Sequence, residues 1–534
     1  MTTLLLILVL WQLALFSGLN TLKAEEPATR LTSETSATAT SPNIIYILAD
    51  DLGYGDVQCL NPEQGKIATP HIDRLAAEGM AFTDAHTSSS VCTPTRYGIL
   101  TGRYNWRSKL QQGVLDGYGE PLIPTDRLTV ATFLKNHGYT TAMIGKWHLG
   151  LGISTIDEKP ATPIGNLRAK VGEGEFAPQE LSNIDWDGTI NGGPVDLGFD
   201  SWFGIPASLD YPPYVWIRDR SWVAAGTYAK AFRRPGPASE DFEAIDVLDK
   251  IGAESVKFID EYKGDKPFFV YIPLTSPHTP IVPTKQWQGK SGLGHYGDFV
   301  MQTDHVIGQI MTAVDNSTFA DNTLIIVTSD NGCSKAAGIS KLESQGHYPS
   351  AHLRGSKADL WDGGHRVPFI VRWPSRVKAG TQCHQTISLT DLMATCAELT
   401  GKEMPYNAGE DSVSFAKALD GKTIASSRSG VIHHSISGHF AYRMGKWKLL
   451  LAKGSGGWTA PNEKKAAENG APVAQLYDLE NDPGETNNLY ASQPEVVARL
   501  LAQLKSDVAR GRSTNGTAAN NDVETIQLWK SGQN

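Results

Sequence analysis

The sequence has little of what characterises nucleic-acid-binding or membrane-spanning proteins. Its formal net charge is −9, and it contains no block of Lys and Arg that could collect phosphate groups. Its longest apolar run, residues 3–16, is shorter than the roughly 20 residues that a membrane-spanning helix needs. No internal repeat is evident. We therefore expect neither a nucleic-acid partner nor a stable membrane span.

The beginning of the chain has the pattern of an export signal, although no Lys or Arg precedes its apolar run. Small and polar residues follow the apolar run as far as Ala24, just ahead of Glu25 and Glu26. We predict a signal peptide over residues 1–24 and a secreted or periplasmic location. Residues 25–41 are rich in Thr, Ser and Ala, which predicts a disordered linker.

Cysteine is also scarce, with five residues in 534. In an exported chain an odd number leaves at least one thiol unpaired; Cys383 and Cys396 could form a disulfide, which the sequence leaves open. Cys92 is different because it starts a predicted helix with Pro94 in the first turn and Arg96 on the same face. The helix N-terminus and the arginine create a positive field that favours an anionic group at position 92.

Four short apolar runs are typical of buried parallel strands, at residues 43–49, 140–145, 267–272 and 323–328. Helical patterns separate them, at residues 72–79, 129–137, 246–263 and 297–314. Alternating strands and helices predict an α/β fold with a mostly parallel sheet covered by helices on both faces. In such sheets, ligands bind beyond the carboxyl ends of the strands.

Polar residues follow each of these four runs, so we expect them to meet at one edge of the sheet. They are Asp50 and Asp51, Lys146 and His148, His278, and Asp330 and Asn331. The aspartates and the asparagine form an all-oxygen set that suits a hard divalent cation such as Ca²⁺ or Mg²⁺. Together with Arg96 and Lys357, the lysine and histidines would surround that ion with positive or proton-donating groups. The set therefore predicts an oxyanion site for a phosphoryl or sulfuryl group.

The pattern changes after the predicted helix at residues 388–401. Residues 440–444 and 447–451 indicate a hairpin with a two-residue turn, residues 476–479 a further strand, and residues 495–509 a closing helix. We predict a catalytic domain over residues 42–424 and a smaller α+β domain with an antiparallel sheet over residues 425–534.

Two regions of the predicted catalytic domain are candidates for the substrate rim. Residues 150–208 are rich in Gly and Pro and indicate long loops. Residues 209–222 contain Tyr211, Tyr214, Trp216 and Trp222 beside Arg218 and Arg220. These aromatic side chains either pack within the loop or stack on a sugar ring, and the sequence leaves both interpretations open.

Several motifs together resemble those of the type I, formylglycine-dependent sulfatases of the alkaline phosphatase superfamily. The resemblance extends over about residues 42–489. It rests on DDLG at 50–53, CTPTR at 92–96, LTGR at 100–103, GKWHLG at 145–150, SDNG at 329–332, LRGSK at 353–357, GGHRVP at 363–368 and LYDL at 476–479.

The resemblance implies that Cys92 is oxidised to formylglycine by a formylglycine-generating enzyme, and that the hydrated aldehyde attacks sulfur. It implies one Ca²⁺, with Mg²⁺ less expected. Lys146, His278 and Lys357 would contact the sulfate, and either His278 or Lys357 would protonate the leaving alcohol. Arg96 would hold the diol and His148 would take a proton from its second hydroxyl. The implied metal ligands are Asp50, Asp51, Cys92 as formylglycine, Asp330 and Asn331.

The expected activity is hydrolysis of sulfate esters, on a sulfated carbohydrate or an aryl sulfate. Residues 92–108 resemble those of sulfatases that act on 6-O-sulfated galactose or N-acetylgalactosamine. Two alternatives stay open: a phosphatase or phosphonate monoester hydrolase on the same scaffold, and a non-catalytic protein that binds sulfated glycans.

Overall fold

The computed structural model describes residues 41–530. The predicted signal peptide and, apart from residue 41, the predicted linker lie outside these residues. The strands are β1 (Asn43–Asp50), β2 (Met80–Phe82), β3 (Ala85–His86), β4 (Thr140–Lys146), β5 (Ser201–Ile205), β6 (Ile217–Arg218), β7 (Ser221–Trp222), β8 (Tyr228–Ala231), β9 (Pro235–Ala238), β10 (Phe268–Pro277), β11 (Thr323–Ser329), β12 (Phe369–Arg372), β13 (Thr381–Cys383), β14 (Ile387–Ser388), β15 (Val431–His434), β16 (Phe440–Met444), β17 (Trp447–Leu450) and β18 (Gln475–Asp478).

The α-helices are α1 (Pro70–Ala77), α2 (Cys92–Thr101), α3 (Val130–Asn136), α4 (Leu167–Lys170), α5 (Val247–Glu261), α6 (His295–Asp315), α7 (Ile339–Ser344), α8 (Asp362–His365), α9 (Leu392–Thr400), α10 (Glu463–Glu468) and α11 (Pro494–Ala509). Short 3-10 helices cover Tyr54–Asp56, Gln58–Leu60, Asn105–Arg107, Pro178–Glu180, Pro194–Leu197, Ala244–Asp246, Ala320–Asn322, Lys335–Ala337, Leu389–Asp391 and Ala418–Asp420.

Ten strands form one large mixed sheet in the order β13-β2-β12-β11-β1-β10-β4-β5-β6-β7. The five central strands, β11 to β5 in that order, run parallel. Strand β12 joins one side of this group and β6 the other side, both antiparallel. The predicted α/β class with a mostly parallel sheet is confirmed. The four strands predicted from the sequence lie side by side as β11, β1, β10 and β4.

Both faces of the sheet are covered, which explains why its strands read as continuous apolar runs. Ile44, Tyr46 and Leu48 of β1 face a core that includes residues of α2, α3 and α9. The alternate residues Ile45 and Ile47 face a second core with residues of α1, α5 and α6. The apolar side chains of α1 and α5 recur at helical spacing, so each of these helices buries one face against the sheet, whereas all ten residues of α2 are buried.

The predicted elements are found with small shifts at their ends, and two regions differ. The third predicted strand extends as β10 to Pro277, which carries it to the edge where His278 lies. The predicted loops at residues 150–208 contain strand β5 and the short helix α4. Strand β5 pairs parallel with β4, and its five residues follow a Gly- and Pro-rich segment that hides such a short strand from sequence patterns.

A four-stranded antiparallel sheet, β15-β16-β17-β18, forms near the end of the chain. It includes the predicted hairpin, in which Met444 pairs with Trp447 across the two-residue turn. Helix α11 packs on it through Leu500 and Leu504. The predicted antiparallel sheet is confirmed. Residues 41–530 lie in one compact unit, and the boundary between residues 424 and 425 stays a prediction.

All five cysteines lie among the described residues and are free thiols. Cys383 and Cys396, whose pairing the sequence leaves undecided, therefore do not form a disulfide. Within residues 41–530, no helix combines the length and the apolar character that crossing a membrane requires.

Three buried histidines join the large sheet region to the antiparallel sheet. His86 of β3, His365 of α8 and His433 of β15 are each 0% exposed. The rings of His365 and His433 are stacked at 3.8 Å, and Nδ1 of His86 lies 3.0 Å from Nδ1 of His365. Burial lowers the pKa of all three imidazoles. The native state therefore keeps them neutral at a pH at which the unfolded chain protonates them.

We expect this cluster to make the fold sensitive to mild acid. Below a pH of about 6.5 the unfolded chain binds protons that the native cluster does not bind, so the free energy of unfolding falls as pH falls, by about 1.4 kcal/mol per pH unit for each neutral imidazole. Urea unfolding at pH 7.5 and 5.5 measures this loss. His433→Gln should reduce the loss, whereas His384→Gln, at an exposed position, should not. An equal pH dependence in wild type and His433→Gln would contradict the assignment.

Candidate active site

The carboxyl ends of β11, β1, β10 and β4 bring polar side chains together at one edge of the sheet. Asp50 ends β1 and Lys146 ends β4. Asp330 and Asn331 follow β11, and His278 follows β10. Because these four strands are neighbours, the residues predicted to converge do lie together. The buried members of this group are Asp50, Asp51, Lys146, His148, His278, Asp330 and Asn331.

Three carboxylates at this edge are each paired with a lysine or an arginine. Lys146 Nζ lies 2.5 Å from Asp50 Oδ2, and Lys357 Nζ donates to Asp51 Oδ1. Arg96 donates from Nε and Nη2 to Asp330 Oδ2, at 3.0 and 2.7 Å. Such pairing is required because burying these charges alone would be prohibitive.

The cations hold the Asp50 carboxylate in the ionised form, whereas burial and the neighbouring Asp50 raise the pKa of Asp330 above its ordinary value. Burial raises the pKa of Asp50, but Lys146, His278 and Arg96 together lower it more, so that it ends well below its ordinary value. Burial lowers the pKa of Lys357, and Asp51 raises it more, so that it ends above its ordinary value. Asp50 and Lys357 therefore stay charged at neutral pH.

Two oxygens at the site are buried and lack a hydrogen-bond partner. They are Oδ1 of Asp50 and Oδ1 of Asn331, and Asp51 and His278 offer further ligand atoms close by. Unsatisfied buried acceptors are costly, and a hard divalent cation takes oxygen ligands of this kind. The residues present thus fit a bound metal ion, which would also relieve the repulsion among the carboxylates.

Cys92 is the first residue of α2 and is 3% exposed. The Thr95 hydroxyl donates to the carbonyl of Ser89 at 2.8 Å and fixes the loop that precedes the helix. Burial raises the pKa of the Cys92 thiol by more than Lys146 and Lys357 lower it. Burial therefore opposes the anionic thiolate that the positive field expected from the sequence would favour.

The two histidines of the site each have one ring nitrogen fixed by a carbonyl. His148 donates from Nε2 to Leu115 O at 2.7 Å, and its buried Nδ1 has no partner. Burial and the charge of Lys146 lower the pKa of His148 well below its ordinary value. His278 donates from Nδ1 to Thr279 O at 2.7 Å, and its Nε2 lies 3.8 Å from Asp51.

Backbone conformation is unusual at two of these positions. Asp51 has φ 67° and His148 has φ 60°. This is a left-handed backbone conformation that residues other than glycine rarely adopt. Both residues come directly after, or shortly after, the end of a central strand. Such conformations cost about 1–3 kcal/mol each and cluster at functional sites.

A cavity of about 480 Å³ opens onto this edge, within the size range of small-molecule sites. Four of the predicted catalytic residues line it, and Arg96 and Lys146 lie behind it. The residues that line the cavity are Val91, Cys92, Val114, His148, Ser208, Asp210, Tyr211, Arg233, Arg234, His278, Thr279, Ser334, Lys335, Ala336, Lys357, Ile436 and Trp458.

The four aromatic side chains at residues 209–222 differ in whether they pack within the protein or are placed to stack on a sugar ring. Tyr214, Trp216 and Trp222 are buried in the hydrophobic cores, so the stacking interpretation is wrong for them. Only Tyr211 of the four lines the cavity. Arg218 and Arg220 do not line it and instead pair with Glu254 and Asp196.

Sequence reasoning missed several residues of this site. Ser208 Oγ lies 2.5 Å from Lys146 Nζ, and Leu115 orients His148 through its backbone. Trp458 and Lys335 contribute to the cavity wall from distant parts of the chain. A backbone carbonyl has no sequence signature, and a single exposed Lys or Trp has none either. Arg234 also lines the cavity, and its position beside Pro235, which starts β9, is only a weak indication of a site residue.

Comparison with known proteins shows to which family this chain is similar. A family model described as Sulfatase matches residues 42–402. The chain is 34% identical to the N-acetylgalactosamine-6-O-sulfatase of Bacteroides thetaiotaomicron, over 87% of this chain and 93% of that protein. It is 30% identical to human arylsulfatase A, over 88% of this chain and 87% of that protein.

Solved structures share the fold. One, from work on the metabolism of multiple glycosaminoglycans by Bacteroides thetaiotaomicron, has a TM-score of 0.74 and 32% identity, over 88% of this chain and 100% of that chain. Another, in complex with k-i-k-neocarrahexaose, has a TM-score of 0.66 over 90% of this chain and 95% of that chain, and at 24% identity it indicates the fold alone.

The family model covers more than half of the chain, and the two named relatives extend the similarity beyond it. Both relatives are sulfatases by name. The chain therefore belongs to the sulfatase family of sulfuric ester hydrolases.

Proposed function

We propose that this sulfatase removes the sulfate ester from a sulfated carbohydrate, with 6-O-sulfated N-acetylgalactosamine or galactose as the first candidates. The observation that carries the proposal is the position of Cys92. It lines the cavity together with His148, His278 and Lys357, in front of the buried carboxylates. The name of the relative at 34% identity supports the choice of N-acetylgalactosamine 6-sulfate.

Residue 92 is proposed to act as formylglycine, made by a formylglycine-generating enzyme. Its hydrated aldehyde would supply the hydroxyl that attacks sulfur, and its second hydroxyl would allow the sulfate to leave again. Burial raises the pKa of the unmodified Cys92 thiol, which favours the neutral thiol. Because a neutral thiol is a weak nucleophile, this supports a nucleophile other than the sulfur of Cys92.

His148 is proposed as the base that takes a proton from residue 92. Its Nε2–H is held by Leu115 O and its Nδ1 has no partner, so a lone pair is available. Its lowered pKa keeps the ring neutral. A neutral imidazole that is fixed in one orientation, with its unprotonated nitrogen unpaired, has the geometry of a general base.

Lys357, His278 and Lys146 are proposed to bind the sulfate oxygens. Lys357 and His278 line the cavity and would contact the sulfate directly, and either of them would protonate the leaving alcohol. Lys146 is buried behind the cavity, between Asp50 and Ser208. Arg96 is proposed to position residue 92. It also positions Asp330, to which it donates two hydrogen bonds.

A calcium ion is proposed at the buried oxygens of Asp50, Asp51, Asp330, Asn331 and residue 92. When bound, the ion would supply positive charge for the sulfate oxygens. The two partnerless oxygens of Asp50 and Asn331 support a cation, and the predominance of oxygen ligands favours Ca²⁺ over a transition metal.

The reaction class is tested by comparing turnover of 4-nitrophenyl sulfate with that of 4-nitrophenyl phosphate and a phosphonate monoester. We expect kcat/KM to be at least about 100-fold higher for the sulfate, because differences of about 3 kcal/mol are typical of a site built for one transition state. Release of free sulfate from N-acetylgalactosamine 6-sulfate and galactose 6-sulfate then tests the substrate. A preference for phosphate would favour the phosphatase alternative, and binding of both sugars without turnover of any ester would favour the non-catalytic one.

Replacement of Cys92 tests the nucleophile. Cys92→Ala should lower kcat by at least about 10⁴-fold, because the attacking group is lost. Mass spectrometry of the peptide that contains residue 92 in active wild type should find about 18 Da less than cysteine, the difference expected for formylglycine. Cys396→Ala, at another buried cysteine, should retain activity. A full-mass thiol in active enzyme would refute the proposal.

Metal removal tests the ion through stability as well as activity. A ligand that binds only the native state raises its stability, so treatment with EDTA should lower the melting temperature along with activity. Added Ca²⁺ should restore both better than added Mg²⁺. The melting temperature of Asp51→Asn should respond less to Ca²⁺. A wild-type melting temperature that is independent of EDTA and Ca²⁺ would contradict the proposed site.

A further inference from the structure

The mouth of the cavity carries an exposed aromatic side chain with a lysine against it. Trp458 is 39% exposed and lines the cavity. Lys335 also lines it, and its Nζ lies 4.9 Å from the centre of the Trp458 ring. A partly exposed indole beside a cation combines an apolar surface with a charge, which suits a sugar that bears an anionic group.

The Trp458 loop, which connects β17 to α10, is held in a fixed position relative to the catalytic residues. Oδ1 of Asp359 accepts hydrogen bonds from the backbone N–H groups of Trp458 and Thr459, at 2.8 and 3.0 Å. Oδ2 of the same carboxylate accepts from Ser356 N at 2.9 Å. Asp359 therefore ties the loop to the segment that contains Lys357. Preorganisation of this kind reduces the entropic cost of binding.

Two cations at the cavity have no acidic partner among residues 41–530. Lys335 Nζ lies over the Trp458 ring, and Arg233, at the tip of the β8–β9 hairpin, forms no ion pair within these residues. By contrast, the neighbouring Arg234 is neutralised by Asp210 at 2.6 Å. In a protein of net charge −9, unpaired cations at one cavity mouth create a local field that attracts anions.

We propose that Trp458, Lys335 and Arg233 form a second subsite, which binds the sugar next to the sulfated one when that neighbour carries its own carboxylate or sulfate. The proposal rests on the proposed function of the sulfate site. Trp458 stacks on the neighbouring ring, and Lys335 and Arg233 bind its anionic group. The preferred substrate is therefore an acidic oligosaccharide, and a sulfated monosaccharide or aryl sulfate fills only part of the cavity.

Three sulfate esters that share the same reacting sugar test this subsite. They are N-acetylgalactosamine 6-sulfate, the same sugar linked to glucuronic acid, and the same sugar linked at the same position to glucose. We expect wild-type kcat/KM to be about tenfold higher for the glucuronate compound than for the glucose compound, the effect of one charge-assisted hydrogen bond. Added salt should reduce this preference because the cations are exposed.

Three variants separate the stacking from the charge. Lys335→Met, which keeps the length of the side chain, should reduce the glucuronate-to-glucose ratio of kcat/KM about tenfold, mainly through KM. Trp458→Ala should reduce the ratio of either disaccharide to the monosaccharide about tenfold. Arg233→Gln should lower the glucuronate-to-glucose ratio in the same direction as Lys335→Met.

A matched control comes from a second lysine that lies over a tryptophan. Lys290 Nζ is 4.7 Å from the Trp287 ring centre, and neither residue lines the cavity. Lys290→Met should keep both ratios at their wild-type values. Equal ratios in wild type, Lys335→Met and Trp458→Ala, with the monosaccharide still hydrolysed, would overturn the subsite alone. If wild type hydrolyses none of the three esters, the proposed substrate is wrong, and the subsite proposal falls with it.

Discussion

Pairing between buried carboxylates and buried cations is the constraint on which this structure depends. Asp50, Asp51 and Asp330 meet at one edge of the sheet, and each would be expensive to bury alone. Lys146, Lys357 and Arg96 supply one cation apiece. The helix α2, the strand β4 and the loop before α8 must therefore all reach the same edge. The position of residue 92 follows from this arrangement, because Arg96 lies on the same helix.

The strand order makes the arrangement possible. Strands β11, β1, β10 and β4 are neighbours although they are far apart in sequence, and each contributes polar residues at its carboxyl end. The sheet provides rigid attachment on both faces, and rigid attachment is what a reaction that depends on positioning requires. The left-handed residues Asp51 and His148 then turn the chain sharply, so that consecutive polar side chains point into one volume.

The central strands and the residues at their ends were predictable from the sequence because both follow from local patterns. A buried parallel strand is a short apolar run, and the polar residues after it have no structural reason to be there. Strand β5 and the roles of Tyr214 and Trp216 were not predictable in the same way. Trp216 stacks on Phe203 of that strand at 4.8 Å, so its burial depends on a strand too short to recognise. Trp458 reaches the cavity through hydrogen bonds to Asp359, a contact between residues about 100 positions apart that no local pattern records.

The cavity is assembled from two kinds of structure that differ in how freely they can change. The reacting groups sit at strand ends, at the start of α2 and in the loop before α8. The buried charges there depend on one another, so a substitution at one of them disturbs several. Trp458 sits on a loop that leaves the antiparallel sheet, and the Asp359 carboxylate accepts hydrogen bonds from the backbone of Trp458 and Thr459 in that loop. Insertions or substitutions in that loop can alter which glycan fits without disturbing the charge balance behind Cys92. A scaffold of this design lets a family diversify its substrates while it keeps one chemistry.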